Sequence, residues 1–150
     1  MQSQHMTILR RHLEAENAHD LDGTLATLHE QCVFKDHATG QVWNGRAGAA
    51  AHYRQWWDCF DVEVVRKDGQ SAGWMSDSVY AAEATWIGTH TGEFLGIAAT
   101  GRLISQPFVV LVAFKDGLMN EERFHYDLGS LLRQIGADPV PSLTKLPYRA

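Results

Sequence analysis

Nowhere does this chain hold the roughly 18 consecutive apolar residues that a membrane span requires, and its first segment, "MQSQHMTILRRHLEAEN", becomes charged almost at once. A basic block is missing too. Its 13 Lys and Arg stand against 18 Asp and Glu, a net charge of -5, so no row of cations is available to neutralise successive phosphates. These absences describe a soluble cytoplasmic protein with neither membrane nor nucleic acid as a partner. Cysteine is scarce: Cys32 and Cys59 lie far apart in a chain without a secretion signal, which favours buried reduced thiols over a disulfide and implies no nucleophile. The glycines at 88, 92, 96 and 101 match neither a dinucleotide-binding nor a P-loop spacing, so a phosphate cradle is disfavoured. No serine sits in a nucleophile-elbow setting, which leaves a hydrolytic triad without support.

Histidine is plentiful, with eight in the chain. His5, His12 and His19 repeat every seventh residue on one helix face, which places neighbours about 10 Å apart along the axis. That is too far for one ion, since helical ligand pairs come at i, i+3 or i+4. The stripe reads as a solvated or partner-facing surface, and no metal is expected.

The 150 residues suffice for one domain burying roughly 70% of the surface of its unfolded chain. "TILRRHLEAENAH" and "TLATLHEQ" read as an opening helix pair separated by the turn "HDLDG". "CVFKDH" and "QVWNG" follow as short strands, and "RAGAAAHYRQWWDCF" as a third helix. From Asp61 onward the texture is that of strands: "DVEVVRKDG", "AGWMS", "SVYAAEATWIGTH", "GRLISQPFVVLVAFKDG" and "LMNEERFHYD". The "KDG" ending at Gly117 is an Asp-Gly hairpin turn. Helices followed by long antiparallel strands make the chain α+β: a half-open cone in which N-terminal helices pack on a curved, mainly antiparallel sheet around an apolar pocket. Residues 1–150 form one domain, with 137–150 as a proline-containing tail.

Aromatic residues supply the candidate walls of that pocket. Tyr53, Trp56, Trp57 and Phe60 share one stripe of the third helix, at i, i+3, i+4 and i+7, and Phe34, Trp43 and Trp86 lie on neighbouring strands. His37, at the end of the first strand, and Arg102, at the start of a later one, could orient ligand carbonyls at the mouth. In the last strand, alternation puts Glu121, Arg123, His125 and Asp127 on one face and Glu122, Phe124 and Tyr126 on the other. Were the first of these the concave face, Asp127 would sit among aromatics, where desolvation makes a carboxylate a usable base and acid near neutral pH. The competing role is local: "DLGSLL" lets Asp127 or Ser130 cap the helix that follows.

The run "GTHTGEFLGIAATGR", the long apolar strand ending in "FKDG", and "YDLGSLLRQIG" together resemble the SnoaL-like polyketide cyclases, also called ester cyclases, of the NTF2-like cone fold. The likeness extends from about Met6 to Gly136. It implies intramolecular aldol ring closure of a polyketide-like, polycyclic or β-dicarbonyl compound, with no cofactor and no metal. Asp127 matches the family's acid-base position, His125 or His90 would assist it, and Trp56, Trp57 and Phe60 would mould the substrate. A homodimer, or a tetramer, is implied as well. Two alternatives stand beside this reading. One is epoxide-hydrolase or dehydratase chemistry, for which Asp127, Arg102 and Glu83 would have to converge; the other is a non-catalytic, dimeric small-molecule binder.

Overall fold

The computed structural model describes residues 1–138; most of the proline-containing tail expected over 137–150 lies outside the described residues. The chain opens with α1 (Gln2–Asn17), the short α2 (Leu21–Leu25), β1 (Leu28–Asp36) and β2 (Val42–Asn44). The long α3 (Gly45–Phe60) follows, then β3 (Glu63–Val65), β4 (Ala72–Trp74), β5 (Val79–Thr89), β6 (Leu103–Lys115), β7 (Leu118–Tyr126) and α4 (Leu128–Gln134). The seven strands form one sheet in the order β2-β1-β7-β6-β5-β3, with β4 also on β5. Only the β1–β7 pair is parallel among these. Helices on one face of an open, curved, mainly antiparallel sheet make this the α+β cone that the element order implied.

One boundary differs from expectation. "TLATLHEQ" has helical composition, yet α2 stops at Leu25 and β1 begins at Leu28, which pairs with Met119 of β7. Full burial of Leu28 in that pairing outweighs the weak helical preference of the segment. Asp20 caps the shortened helix by accepting from the Gly23 amide at 3.0 Å.

The glycine-rich run after β5 is a clamp on the end of α3. The amides of Thr91 and Gly92 both donate to the Cys59 carbonyl, and the Thr91 hydroxyl donates to that of Asp58, which satisfies acceptors that a helix end leaves open. A side chain at Gly88 would stand 2.2 Å from the Phe60 carbonyl oxygen and one at Gly92 2.5 Å from that of Asp58, so glycine is required for this close approach. His90 completes the loop. Its Nδ1 accepts from the Thr100 amide at 3.2 Å and its ring stacks on Phe60 at 5.4 Å.

The "LLRQIG" segment is equally structural. Leu131, Leu132 and Ile135 are buried, and Gln134 holds the start of β6 by accepting from the Ser105 amide and donating to the Gln106 side chain.

Candidate active site

The inner faces of the three long strands carry Tyr80, Ala82, Ala84 and Trp86 (β5), Phe108, Val110 and Val112 (β6), and Glu122 and Phe124 (β7). Opposite them α1 presents Met6, Leu9, His12, Leu13 and Glu16, and the space between is a cavity of about 350 Å³. The two alanines create it: small side chains alternate onto the inner face of β5 where larger ones would meet α1. At one end the cavity is closed by an aromatic stack in which Trp86 lies 3.9 Å from Phe108 and 4.5 Å from Trp56, centroid to centroid. Such pairs contribute about 0.5–1.5 kcal/mol each beyond simple burial. The exposed lining residues, Arg10, Arg66 and Ala72, mark the mouth.

Within this apolar wall His12 meets two carboxylates and a phenol. His12, 2% exposed, has Nε2 at 3.3 Å from Glu122 Oε1 and 3.7 Å from Glu16 Oε2. The Tyr53 hydroxyl lies 2.8 Å from the same Nε2. Thr27 fixes the tautomer. Its hydroxyl proton is committed to the Thr24 carbonyl at 2.6 Å, so the 2.7 Å contact with His12 Nδ1 is an Nδ1–H donated to the Thr27 oxygen. Nε2 is therefore the site where a proton comes and goes, and the Tyr53 hydroxyl can donate to it when bare or accept from it when protonated.

Burial depresses the His12 pKa, but its bond to Glu122 and the negative charges of Glu122 and Glu16 outweigh that and raise it overall. Glu16 is raised to about 7, by burial first, against the lowering pull of His12 and with a further push from Glu122. Burial and the nearby acids lift the Tyr53 phenol well above its ordinary range, so it stays neutral. His12 and Glu16 each act on the protonation of the other, and near neutral pH the pair can take up or release one proton inside a largely apolar chamber.

This is not the constellation that the sequence singled out. The concave face of β7 is the Glu122–Phe124–Tyr126 face, and His125 stands exposed on the other side with its ring 4.4 Å from that of His37. Asp127 is the N-cap of α4: its carboxylate accepts from the Ser130 amide at 3.0 Å, is 67% exposed, and lies 3.8 Å from Arg133 Nη2. It does not line the cavity. His90 is held in the loop against Phe60 and lies outside the cavity lining as well. Arg102 packs its guanidinium over Gly136, and Glu83 sits on the outer face bonded to the Ser71 amide, so Asp127, Arg102 and Glu83 do not converge.

Of the expected wall aromatics, only Trp86 lines the cavity. Phe34, Tyr53, Trp56 and Phe60 are core, Trp43 packs edge-on against His52, and Trp57 stacks on His19. The reason is placement: α3 packs on β1, so its stripe is consumed by the core, while the open space falls beneath α1. The histidine stripe is corrected by the same fact. His5 and His12 are buried, His5 stacking on Phe114 at 4.4 Å, because this face of α1 lies against the sheet.

Two sequence signals point to the residues that meet in this cavity. His12 and Glu16 are an i, i+4 pair on one helix, and Glu122 is the single acid on an otherwise aromatic strand face.

A family model described as SnoaL-like polyketide cyclase matches residues 6–135. Aklanonic acid methyl ester cyclase of Streptomyces galilaeus is 31% identical over 88 residues, a region covering 54% of this chain and 60% of that protein. Among solved structures, TsrD from Streptomyces laurentii superposes with a TM-score of 0.75 at 25% identity, covering 92% of this chain and 98% of that one. A candidate polyketide cyclase from Xanthomonas campestris gives 0.77 at 21% identity, over 89% and 98% of the two chains. A protein of ketosteroid isomerase-like fold from Catenulispora acidiphila, in complex with trimethylamine, gives 0.72 at 17%, over 87% and 93%. With its residues 6–135 matched by the family model and its cone shared with these structures, the chain belongs to the SnoaL-like polyketide cyclases.

Proposed function

We propose that this protein runs cofactor-independent acid-base chemistry, an intramolecular aldol-type ring closure, on an apolar β-dicarbonyl or polycyclic molecule held in the cavity under α1. The observation that carries the reading is a carboxyl group raised to about 7 on the wall of an otherwise apolar chamber, beside a histidine and a second acid. The name of the matched Streptomyces galilaeus cyclase supports the substrate class.

In this reading ionised Glu16 takes a proton from a carbon flanked by carbonyls. The resulting enolate carbon attacks a second carbonyl of the same molecule; a carbon–carbon bond forms as the carbonyl π bond opens to an alkoxide. Glu16 returns the proton to that alkoxide, so no proton is gained or lost overall. His12, held by Glu122 and Tyr53, stabilises the negative charge that develops on the enolate oxygen. The chamber holds the chain of the substrate folded for attack, which supplies much of the rate. The test is turnover of a panel of β-dicarbonyl esters by wild type and by Glu16→Gln; equal rates would remove Glu16 from the mechanism.

Asp127 has a different expected signature. Asp127→Ala should lower stability by about 1 kcal/mol through loss of the cap, whereas Asp127→Asn should cost little, and both should retain turnover. Urea unfolding alongside the same rate assay checks this.

The protein is further proposed to act as a homodimer built on the outer face of the sheet. Pro107, Val109 and Leu111 on β6 form an apolar strip there, with Val109 37% exposed, flanked by the Lys35–Glu121 ion pair at 2.8 Å. Val109→Glu, which would set like charges against each other across a two-fold axis, should convert dimer to monomer in light scattering.

A further inference from the structure

The mouth of the cavity carries two cations that no carboxylate neutralises. Among the described residues neither Arg10 nor Arg66 lies within 4.0 Å of an acid, and even Glu14, one turn beyond Arg10 on the same helix, is out of range. Arg66 spends its guanidinium on the neutral carbonyls of Gln70, Ser71 and Glu83, which pins the β3–β4 loop but leaves its charge unopposed. Among the described residues Arg10 has no polar partner. In a chain of net charge -5, two unopposed cations at the lip of an apolar chamber form a local field of the opposite sign. Nothing in the acid-base chemistry at Glu16 uses them.

From these positions we infer that the ligand carries a carboxylate, or an equivalent anion, at the end remote from its reacting carbon. Arg10 and Glu16 both line the cavity from α1, six residues apart, which sets them about 9 Å apart along the axis at about 1.5 Å per residue and roughly a third of a turn apart around it, Arg10 at the exposed edge. A ligand that places an enolisable carbon against Glu16 and fills the apolar midsection, bounded by Leu9, Leu13, Val110 and Phe124, ends at Arg10. The Arg10 guanidinium, free to form a bidentate pair, is the residue that grips the anion; Arg66 adds to the field. Ligand polarity thus runs opposite to the floor, where Glu16 and Glu122 would repel an anion and hold it outward. The inference rests on the proposed use of the cavity as the substrate site and adds orientation and charge to it.

The test uses anthracene carboxylate and its methyl ester as probes, read by quenching of tryptophan fluorescence at low ionic strength and neutral pH. The carboxylate is expected to bind about tenfold more tightly than the ester, the scale of one charge-assisted contact, and added salt should weaken the carboxylate alone. In Arg10→Gln most of the preference should be lost, the carboxylate falling towards the affinity of the ester, and Arg10→Lys should restore part of it. Equal binding of the two by wild type overturns the inference while leaving the cavity as a substrate site. A preference undiminished in Arg10→Gln also overturns it, since the anion then rests on other groups. Failure of both probes to bind overturns the inference and the use of the cavity together.

Discussion

Replacing Glu16 by glutamine is expected to lower the rate of ring closure by a factor of about 10²–10⁴, the usual contribution of a positioned acid or base. Glutamine matches the shape of the protonated side chain and can keep its place beside His12, but it can neither take the carbon-bound proton nor return it. The substitution also separates catalysis from folding. The folded-state pKa of Glu16 is raised to about 7 from 4.5, so the folded protein binds this proton more tightly than the unfolded chain. Stability from this group is complete below about 4.5 and declines as pH rises towards 7. Glu16→Gln removes that decline. The variant should therefore be as stable as wild type in mild acid and more stable in mild base, while turning over far more slowly in mild base, where wild-type Glu16 is ionised.

The second large effect is expected at His52, which faces the core rather than the cavity. Its ring is stacked on Phe124 at 5.0 Å and lies edge-on to Trp43 and Phe34, and its buried Nδ1 has no hydrogen-bond partner among the described residues. Burial, with a smaller push from His12, lowers its pKa from 6.5 to about 3. The unfolded chain takes up this proton first. The contribution is therefore complete above 6.5 and is lost as pH falls towards 3, at about 1.4 kcal/mol per pH unit for one group. His52→Phe keeps the stacking surface and abolishes the protonation. Its advantage over wild type should widen by about 3 kcal/mol between about pH 7 and about pH 4.5, measured by urea unfolding at each pH. Parallel curves for the two proteins would show that His52 is not held neutral by the core.

Glu16 and His52 act with opposite sign over the mildly acidic range, which bears on how stability should be compared. Wild type alone would show a shallow dependence there, because one contribution falls as the other grows. Only the single variants expose the two slopes.

The architecture was legible because its determinants are local. Period-two alternation set the two faces of β7, the Asp-Gly turn placed the β6–β7 hairpin, and helical composition located α1 and α3. The segment around Leu28 was not legible, since its state is set by pairing with Met119 far along the chain. For the site, alternation separated Glu122 from Asp127 but could not say which face is concave. The structure settles that through the neighbours: Phe124 and Tyr126 must bury their rings against Trp86, and Glu122, two residues before Phe124, goes inward with them. Asp127 then follows the opposite face to the surface, where capping α4 is the role its geometry serves.

The motif residues have a related explanation. The glycines of "GTHTG" and the leucines and glutamine of "LLRQIG" close the end of α3 and anchor β6. Those contacts maintain the cone; the residues facing the cavity come instead from α1 and from the inner strand faces, where sequence shows only scattered polar positions among apolar ones.

The proposed chemistry requires that the chamber under α1 hold a carboxyl group exchanging its proton near neutral pH. The most direct measurement is a carbon-13 NMR titration of the Glu16 side-chain carboxyl, assigned by comparison with Glu16→Gln. A midpoint near 7 is expected, moving downward in Glu122→Gln as one neighbouring negative charge is removed. A midpoint near the ordinary 4.5, unchanged by the Glu122 substitution, would contradict it.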